Sequence, residues 1–229
     1  MTTSTPGGRW NLGGRRLYLC TPDRLDLEQF IDKCIQGGVD VVQLREKHLP
    51  DVRLVARALR VQQVCAHHQV PFILNDRPDL AAAIGADGVH VGQDDLGPDE
   101  TRRVVGPDAI VGLSTHGTDD LQRAVGGPDA GPAPVDYLSA GPVTPTPTKP
   151  GRAGTGLGYV REATGRASWP VWITGGVDPT TAPAMAASGA RHFVVVRWLT
   201  EADDPAQHAR TLRQVIDEAV AREEAAATG

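Results

Sequence analysis

The sequence predicts a (βα)8 TIM barrel, a closed ring of eight parallel strands wrapped by helices. Three observations lead there. Short apolar runs of strand character alternate with longer amphipathic stretches, and that alternation implies parallel pairing through right-handed crossovers. Eight such runs fit into 229 residues, near the lower end of what this barrel requires. An open doubly wound sheet would call for a glycine fingerprint directly after the first strand, whereas Cys20-Thr21-Pro22-Asp23 stands there.

The strand candidates are 17–20, 39–44, 71–74, 88–91, 109–113, 135–138, 171–173 and 192–196. Stretches 25–36, 52–67 and 180–187 carry helical periodicity between them, and 205–225 closes the chain as a last helix. One joint recurs: Gly38-Val39-Asp40, Gly85-Ala86-Asp87 and Gly189-Ala190-Arg191 each end a helix and lead into a strand. A glycine after the last turn supplies the left-handed conformation that terminates a helix. The Gly/Pro-rich segment 126–134 reads as a linker. Segment 144–158, rich in Thr, Lys and Gly, follows the sixth strand on the face where barrels carry their chemistry, and is expected to be a mobile lid. Residues 15–225 are expected to form one catalytic domain. Residues 1–14, without an apolar run, are expected to be a disordered tail, and 226–229 a short C-terminal tail.

Composition narrows the function. No stretch approaches the ~20 apolar residues of a membrane-spanning helix. A net charge of −5 and a pI near 5.8 argue against a general nucleic-acid binder. An anionic ligand must therefore be held by a local cluster of cations. Cys20, Cys34 and Cys65 are odd in number and lack paired metal-binding spacing, which suits reduced thiols in a cytoplasmic protein. Homo-oligomerisation is left open.

The strand ends carry the chemistry. In an extended chain Gln43, Arg45 and Lys47 share one face, with Val42 and Leu44 on the other. Two cations and an amide at a strand's C-terminal end suit a polyphosphate, although a solvated charged turn would have the same composition. Asn75-Asp76-Arg77 ends the third strand, and His90-Val91-Gly92-Gln93-Asp94-Asp95 follows the fourth. Asp76 can approach Asp94 or Asp95 across the mouth. Two carboxylates facing phosphate oxygens make a Mg2+ site, whereas either Asp alone would read as a helix cap. Ser114 and His116 end strand five as ligand-positioning groups, with no nucleophile elbow around them. Thr144, Thr146, Thr148 and Lys149 suit a second phosphorylated ligand or the leaving group. The Gly175-Gly176 pair after strand seven and Val196-Arg197-Trp198 after strand eight stand where barrels bind phosphate through backbone N–H groups.

Taken together, QLREK (43–47), NDRPDLAAAIGADGVHVGQDDL (75–96), GLSTH (112–116), GPVTPTPTK (141–149), TGGV (174–177) and VVVR (194–197) resemble the thiamine phosphate synthase family, in the correct order from about residue 17 to 199. That family is a (βα)8 barrel coupling hydroxymethylpyrimidine pyrophosphate to hydroxyethylthiazole phosphate by a Mg2+-assisted, dissociative transferase reaction. The resemblance implies that Gln43 and Ser114 contact the pyrimidine, within the substrate-binding run Gln43, Leu44, Arg45, Glu46 and Lys47, and that Tyr18 packs on its ring. It implies that Arg45, Lys47, Asn75 and Lys149 hold the pyrophosphate and that Asp76 and Asp95 ligate Mg2+. Thr146, Pro147, Thr148, Gly176, Val196 and Arg197 would cradle the thiazole phosphate. Arg45, Lys47, Lys149 and Ser114 would be the catalytic set. Trp172-Ile173-Thr174 stands where the family more often has small or aliphatic residues, and Trp198 at a usually small position, and both bear on the shape of the thiazole side. Three rivals share the barrel, of which a generic phosphate-binding isomerase would explain the strand-seven and strand-eight loops but not the charged ends of strands two to four. A thiazole tautomerase-like relative, with His116 moving a proton, would not need Gln43, Arg45, Lys47 and both Asp. A non-catalytic regulator would bind metabolites without releasing pyrophosphate.

Overall fold

The computed structural model describes residues 10–21, 24–127, 130–146, 151 and 153–228. Strands β1 Leu17–Cys20, β2 Val41–Leu44, β3 Phe72–Asn75, β4 Gly88–Val91, β5 Ile110–Thr115, β6 Tyr137–Ala140, β7 Val171–Ile173 and β8 His192–Val195 form a closed barrel in chain order. Every pairing is parallel, including that of β8 back onto β1. Around it lie helices α1 Leu27–Gln36, α2 Asp51–His67, α3 Pro78–Ile84, α4 Pro98–Val105, α5 Thr118–Val125, α6 Gly156–Arg166, α7 Ala182–Ala187, α8 Arg197–Thr200 and α9 Pro205–Thr228. The predicted fold class holds.

Strand alternation divides the core in two. Leu17, Leu19, Val42, Leu44, Val89 and Val91 point outward into the layer packed against the helices. Tyr18, Val41, Ile73, Ile110, Tyr137 and Trp172 fill the barrel interior. Along the inward-facing residues the chemistry changes with height. Val41 gives way to Gln43 on β2, Ile73 to Asn75 on β3, and Ile110 to Ser114 on β5. Apolar groups thus plug the N-terminal end, and polar ones collect at the C-terminal mouth.

A repeated device stitches the N-terminal end. Asp40, just before β2, accepts the backbone N–H groups of Arg16 (2.9 Å) and Leu17 (3.0 Å). Asp87, before β4, accepts Phe72 N–H at 3.0 Å, and Asp136, before β6, accepts Val111 N–H at 2.7 Å. Each carboxylate satisfies donors at the start of the neighbouring strand. Burial raises the Asp40 carboxyl, against the Arg16 and Leu17 N–H groups and Arg213, which lower it.

The expectations shift at element ends. Strand six starts at Tyr137 rather than 135, and strand five runs on to Thr115, which brings Ser114 and Ser139 into register. Trp10–Gly14 does not behave as a tail. The Trp10 indole donates to Asp87 at 2.9 Å, and Leu12 is buried in the barrel's apolar plug. Residues 1–9 lie outside the described residues. At the other end α9 continues to Thr228, through residues expected to be a tail. Helix α6 takes up Gly156–Gly158 of the expected lid, and Thr155 N–H donates to Pro142 O at 2.8 Å. No helix of the described residues is long and apolar enough to cross a membrane.

Candidate active site

A cavity of about 680 Å3 opens at the C-terminal mouth, walled by residues at or just beyond the ends of all eight strands. Gln43, Arg45, Glu46 and Lys47 reach it from β2 and the turn beyond, Asn75 and Asp76 from β3, Asp94 and Asp95 from the β4 loop, and Ser114 and His116 from β5. The alternation that aims Gln43 and Arg45 inward turns Leu44 outward. Leu44 packs among the helices, so its side chain belongs to the core and not to a substrate site. Glu46 borders the cavity, but its carboxylate accepts Arg57 of α2 at 2.6 Å.

Lys47 Nζ lies 3.0 Å from Asp76 Oδ2. Asp76 is one of two described non-glycine residues with positive φ, at 62°. Such backbone persists only where its surroundings fix it, and here Asp76 N–H donates to His90 O at 2.8 Å. Asp95 Oδ2 accepts Gly92 N–H at 2.8 Å. Desolvation, and then the neighbouring Asp76 carboxylate, raise the Asp95 carboxyl despite that N–H. A like-charged pair of this kind attracts a cation. Among the described residues no group of three or more His, Cys, Asp or Glu could hold a metal. Two carboxylates beside a polyphosphate pocket nevertheless suit Mg2+, which keeps waters and takes ligand phosphate oxygens. Asn75 is buried, and its Nδ2 has no hydrogen-bond partner among the described residues. A buried orphan donor is costly unless a ligand completes it.

The floor of the cavity holds residues that the motif reading passed over. His90 Nε2 meets Ser114 Oγ at 2.8 Å, and His90 Nδ1 meets the Tyr137 hydroxyl at 2.9 Å. Tyr18 does not stand clear as a stacking platform. Its ring lies edge-on to Trp172 at 5.1 Å, and its hydroxyl accepts Gln43 Nε2 at 3.1 Å. Strand parity was the available signal for His90, because Val89 and Val91 read as outward-facing.

A second cavity of about 260 Å3 adjoins the first, lined by Thr146, Gly176, Val196, Arg197 and Trp198 among others. Gly176 has φ +78°, and a Cβ there would sit 2.1 Å from Thr144 Oγ1. Glycine is thus required for the strand-six and strand-seven loops to meet, besides leaving backbone open to a ligand. Pro147, Thr148 and Lys149 lie outside the described residues. Of the two tryptophans, only Trp198 borders this cavity, and its indole donates to His208 O at 3.0 Å. Trp172 is fully buried in the barrel plug and lines neither cavity.

Comparison with known proteins places this arrangement. The family model described as thiamine monophosphate synthase matches residues 17–199. A thiamine-phosphate synthase of Mycobacterium sp. (strain KMS) is 43% identical over 213 residues, covering 87% of this chain and 92% of the relative. One from Thermus thermophilus is 45% identical over 207 residues, covering 87% of this chain and 96% of the relative. Among solved structures, a thiamine phosphate pyrophosphorylase from Pyrococcus furiosus superposes with a TM-score of 0.82 at 25% identity, covering 92% of this chain and all of that one. The match spans every strand of the barrel and the whole lining of the larger cavity, and on that ground the chain belongs to the thiamine monophosphate synthase family.

Proposed function

We propose that this barrel transfers an aminopyrimidinylmethyl group from its diphosphate ester to the ring nitrogen of hydroxyethylthiazole phosphate, giving thiamine phosphate and diphosphate. The observation that carries the reading is the convergence on one cavity of Arg45, Lys47 and Asn75, whose Nδ2 has no partner among the described residues, with the Asp76–Asp95 pair. Cations, an amide donor and two acidic groups are the set that a departing diphosphate needs.

The methylene carbon–oxygen bond breaks with its electron pair leaving on the diphosphate, and the aminopyrimidine stabilises the benzylic-type cation. The thiazole nitrogen lone pair then forms the new carbon–nitrogen bond. Arg45, Lys47 and Lys149 neutralise the leaving group, and Asn75 donates to it. Asp76 and Asp95 would hold Mg2+, which when bound supplies charge neutralisation to the diphosphate oxygens. Gln43 and Ser114 orient the pyrimidine. Thr146, Pro147, Thr148, Gly176 and the backbone of Val196 and Arg197 hold the thiazole phosphate, so the rings meet where the two cavities join. No protein nucleophile is required. The chain's part is to position, to neutralise and to exclude water.

The experiment mixes the purified protein, Mg2+ and both substrates, omitting each in turn. Diphosphate and coupled product are expected in equal amounts, and neither when any component is left out or EDTA is added. Thiazole phosphate binding without diphosphate release would overturn the proposal in favour of a regulator.

A further inference from the structure

A continuous chain of hydrogen bonds crosses the floor of the larger cavity. The Cys20 thiol donates to Gln43 Oε1 (3.0 Å), and Gln43 Nε2 donates to the Tyr18 hydroxyl (3.1 Å). The Tyr18 and Tyr137 hydroxyls lie 2.9 Å apart, Tyr137 meets His90 Nδ1 at 2.9 Å, and His90 Nε2 meets Ser114 Oγ at 2.8 Å. All six residues are buried, and they come from five different strands. The backbone is shaped for the chain, since a Cβ on Gly112 would lie 2.0 Å from Tyr137 Cζ.

We propose that this chain runs one way, from Gln43 through Tyr18 and Tyr137 to His90, so that His90 carries its proton on Nε2 and holds the Ser114 hydroxyl as a donor to a ring nitrogen of the aminopyrimidine. His90 and Tyr137 are then positioning residues for that substrate. The substrate named here rests on the function proposed above, whereas the direction of the chain does not.

Donor counting fixes the direction. The Tyr18 oxygen already accepts from Gln43, so its own proton goes to the other hydroxyl it meets, that of Tyr137. Tyr137 in turn gives its proton to His90 Nδ1. A neutral imidazole accepting at Nδ1 bears its hydrogen on Nε2 and donates to Ser114 Oγ, which leaves the serine proton for the cavity. The opposite order would make Tyr18 accept twice and strand its proton in a fully buried place, which folded proteins avoid. Burial raises the pKa of both phenols, so each is present as an O–H donor. The sense of the chain hangs on the Gln43 amide, whose Oε1 takes the Cys20 thiol. An amide turned round would reverse every donor and move the histidine proton to Nδ1, so the tautomer of His90 reports the direction.

The chemical value lies in what the chain withholds. Departure of the diphosphate draws on electron density in the aminopyrimidine, and a proton delivered to the ring would remove it. A serine hydroxyl backed by a neutral imidazole orients the ring by a hydrogen bond. Behind that imidazole stand two phenols and an amide, none of them acidic enough to resupply a proton.

The test labels histidine with 15N in the full-length protein and reads the tautomer from long-range 15N–1H correlations, with His90 identified by its loss in His90→Gln. A proton on Nε2 is expected, and a proton on Nδ1 would overturn the direction whether or not the protein turns over. Kinetics test the positioning role. Tyr137→Phe is expected to raise KM for the pyrimidine diphosphate about five- to tenfold, as the one neutral hydrogen bond that Ser114 gives the ring is lost from its held direction. KM for the thiazole phosphate should not change, and kcat should stay within about twofold of wild type on the same reasoning. An equal rise in both KM values, or none in a variant that melts like wild type, contradicts that role. Should Tyr137→Phe fail to fold, Ser114→Ala is expected to raise KM for the pyrimidine diphosphate by a similar factor and to leave KM for the thiazole phosphate unchanged, and an equal rise in both contradicts the role.

Discussion

Asn75→Ala separates binding from folding, because the free protein keeps the Asn75 Nδ2 buried without a partner among the described residues. Leaving such a donor unsatisfied costs about 1–3 kcal/mol, so deleting it relieves a penalty of the folded state. The truncated side chain borders an open cavity and not a sealed core, which limits the packing loss. The two effects oppose each other, and the net change in stability should fall within about 1 kcal/mol, or roughly 2–4 °C in Tm. Catalysis has no such compensation. A hydrogen bond to a charged acceptor contributes about 1.5–3 kcal/mol, so kcat/KM for the pyrimidine diphosphate should fall about ten- to a hundredfold. The assay pairs thermal melting with initial rates at varied pyrimidine diphosphate and saturating thiazole phosphate. A variant that melts far below wild type yet keeps its kcat/KM would refute the assignment, since the amide would then be structural.

Gly176→Ala places a methyl group 2.1 Å from Thr144 Oγ1 on a backbone with φ +78°. A left-handed alanine costs about 1–2 kcal/mol and Thr144 must also move, so the urea midpoint should fall and KM for the thiazole phosphate should rise. No change in either would show that the two loops do not depend on this contact. His192 supplies a pH dependence remote from both cavities. Desolvation holds it at about 4 from an ordinary 6.5, against the Arg15 carbonyl that it meets at 2.6 Å. A depressed histidine favours the neutral fold, so its contribution is complete above pH 6.5 and is lost as pH falls toward 4. About 2 kcal/mol should be gone by pH 5, from 1.36 kcal/mol per unit. Urea midpoints at pH 7 and pH 5 check this, and His192→Gln should flatten the slope; an equal slope in both proteins counts against it.

The barrel was legible because its periodicities are local. Strand-length apolar runs and glycine-ended helices need no knowledge of distant residues, and the face shared by Gln43 and Arg45 follows from the period of a strand. What escaped the sequence depends on residues far apart in the chain. Asp136 holds a backbone group of β5, Trp10 bonds Asp87 from 77 residues away, and His90 joins Ser114 to Tyr137. Apolar count alone put residues 10–14 in a tail, because an isolated Leu12 does not announce that it closes a barrel. Leu44 shows the converse. A contiguous motif implied a substrate contact, while strand alternation turns its side chain into the helix layer.

The mouth of the barrel must accept a diphosphate together with a divalent ion if the proposed chemistry is right. Calorimetric titration of inorganic diphosphate into the full-length protein, with and without Mg2+, measures that directly. One site per chain is expected, tightened by Mg2+ in wild type but not in an Asp76→Asn/Asp95→Asn variant, and weakened in Lys47→Met. Equal affinity with and without Mg2+, unaffected by either change, would contradict it.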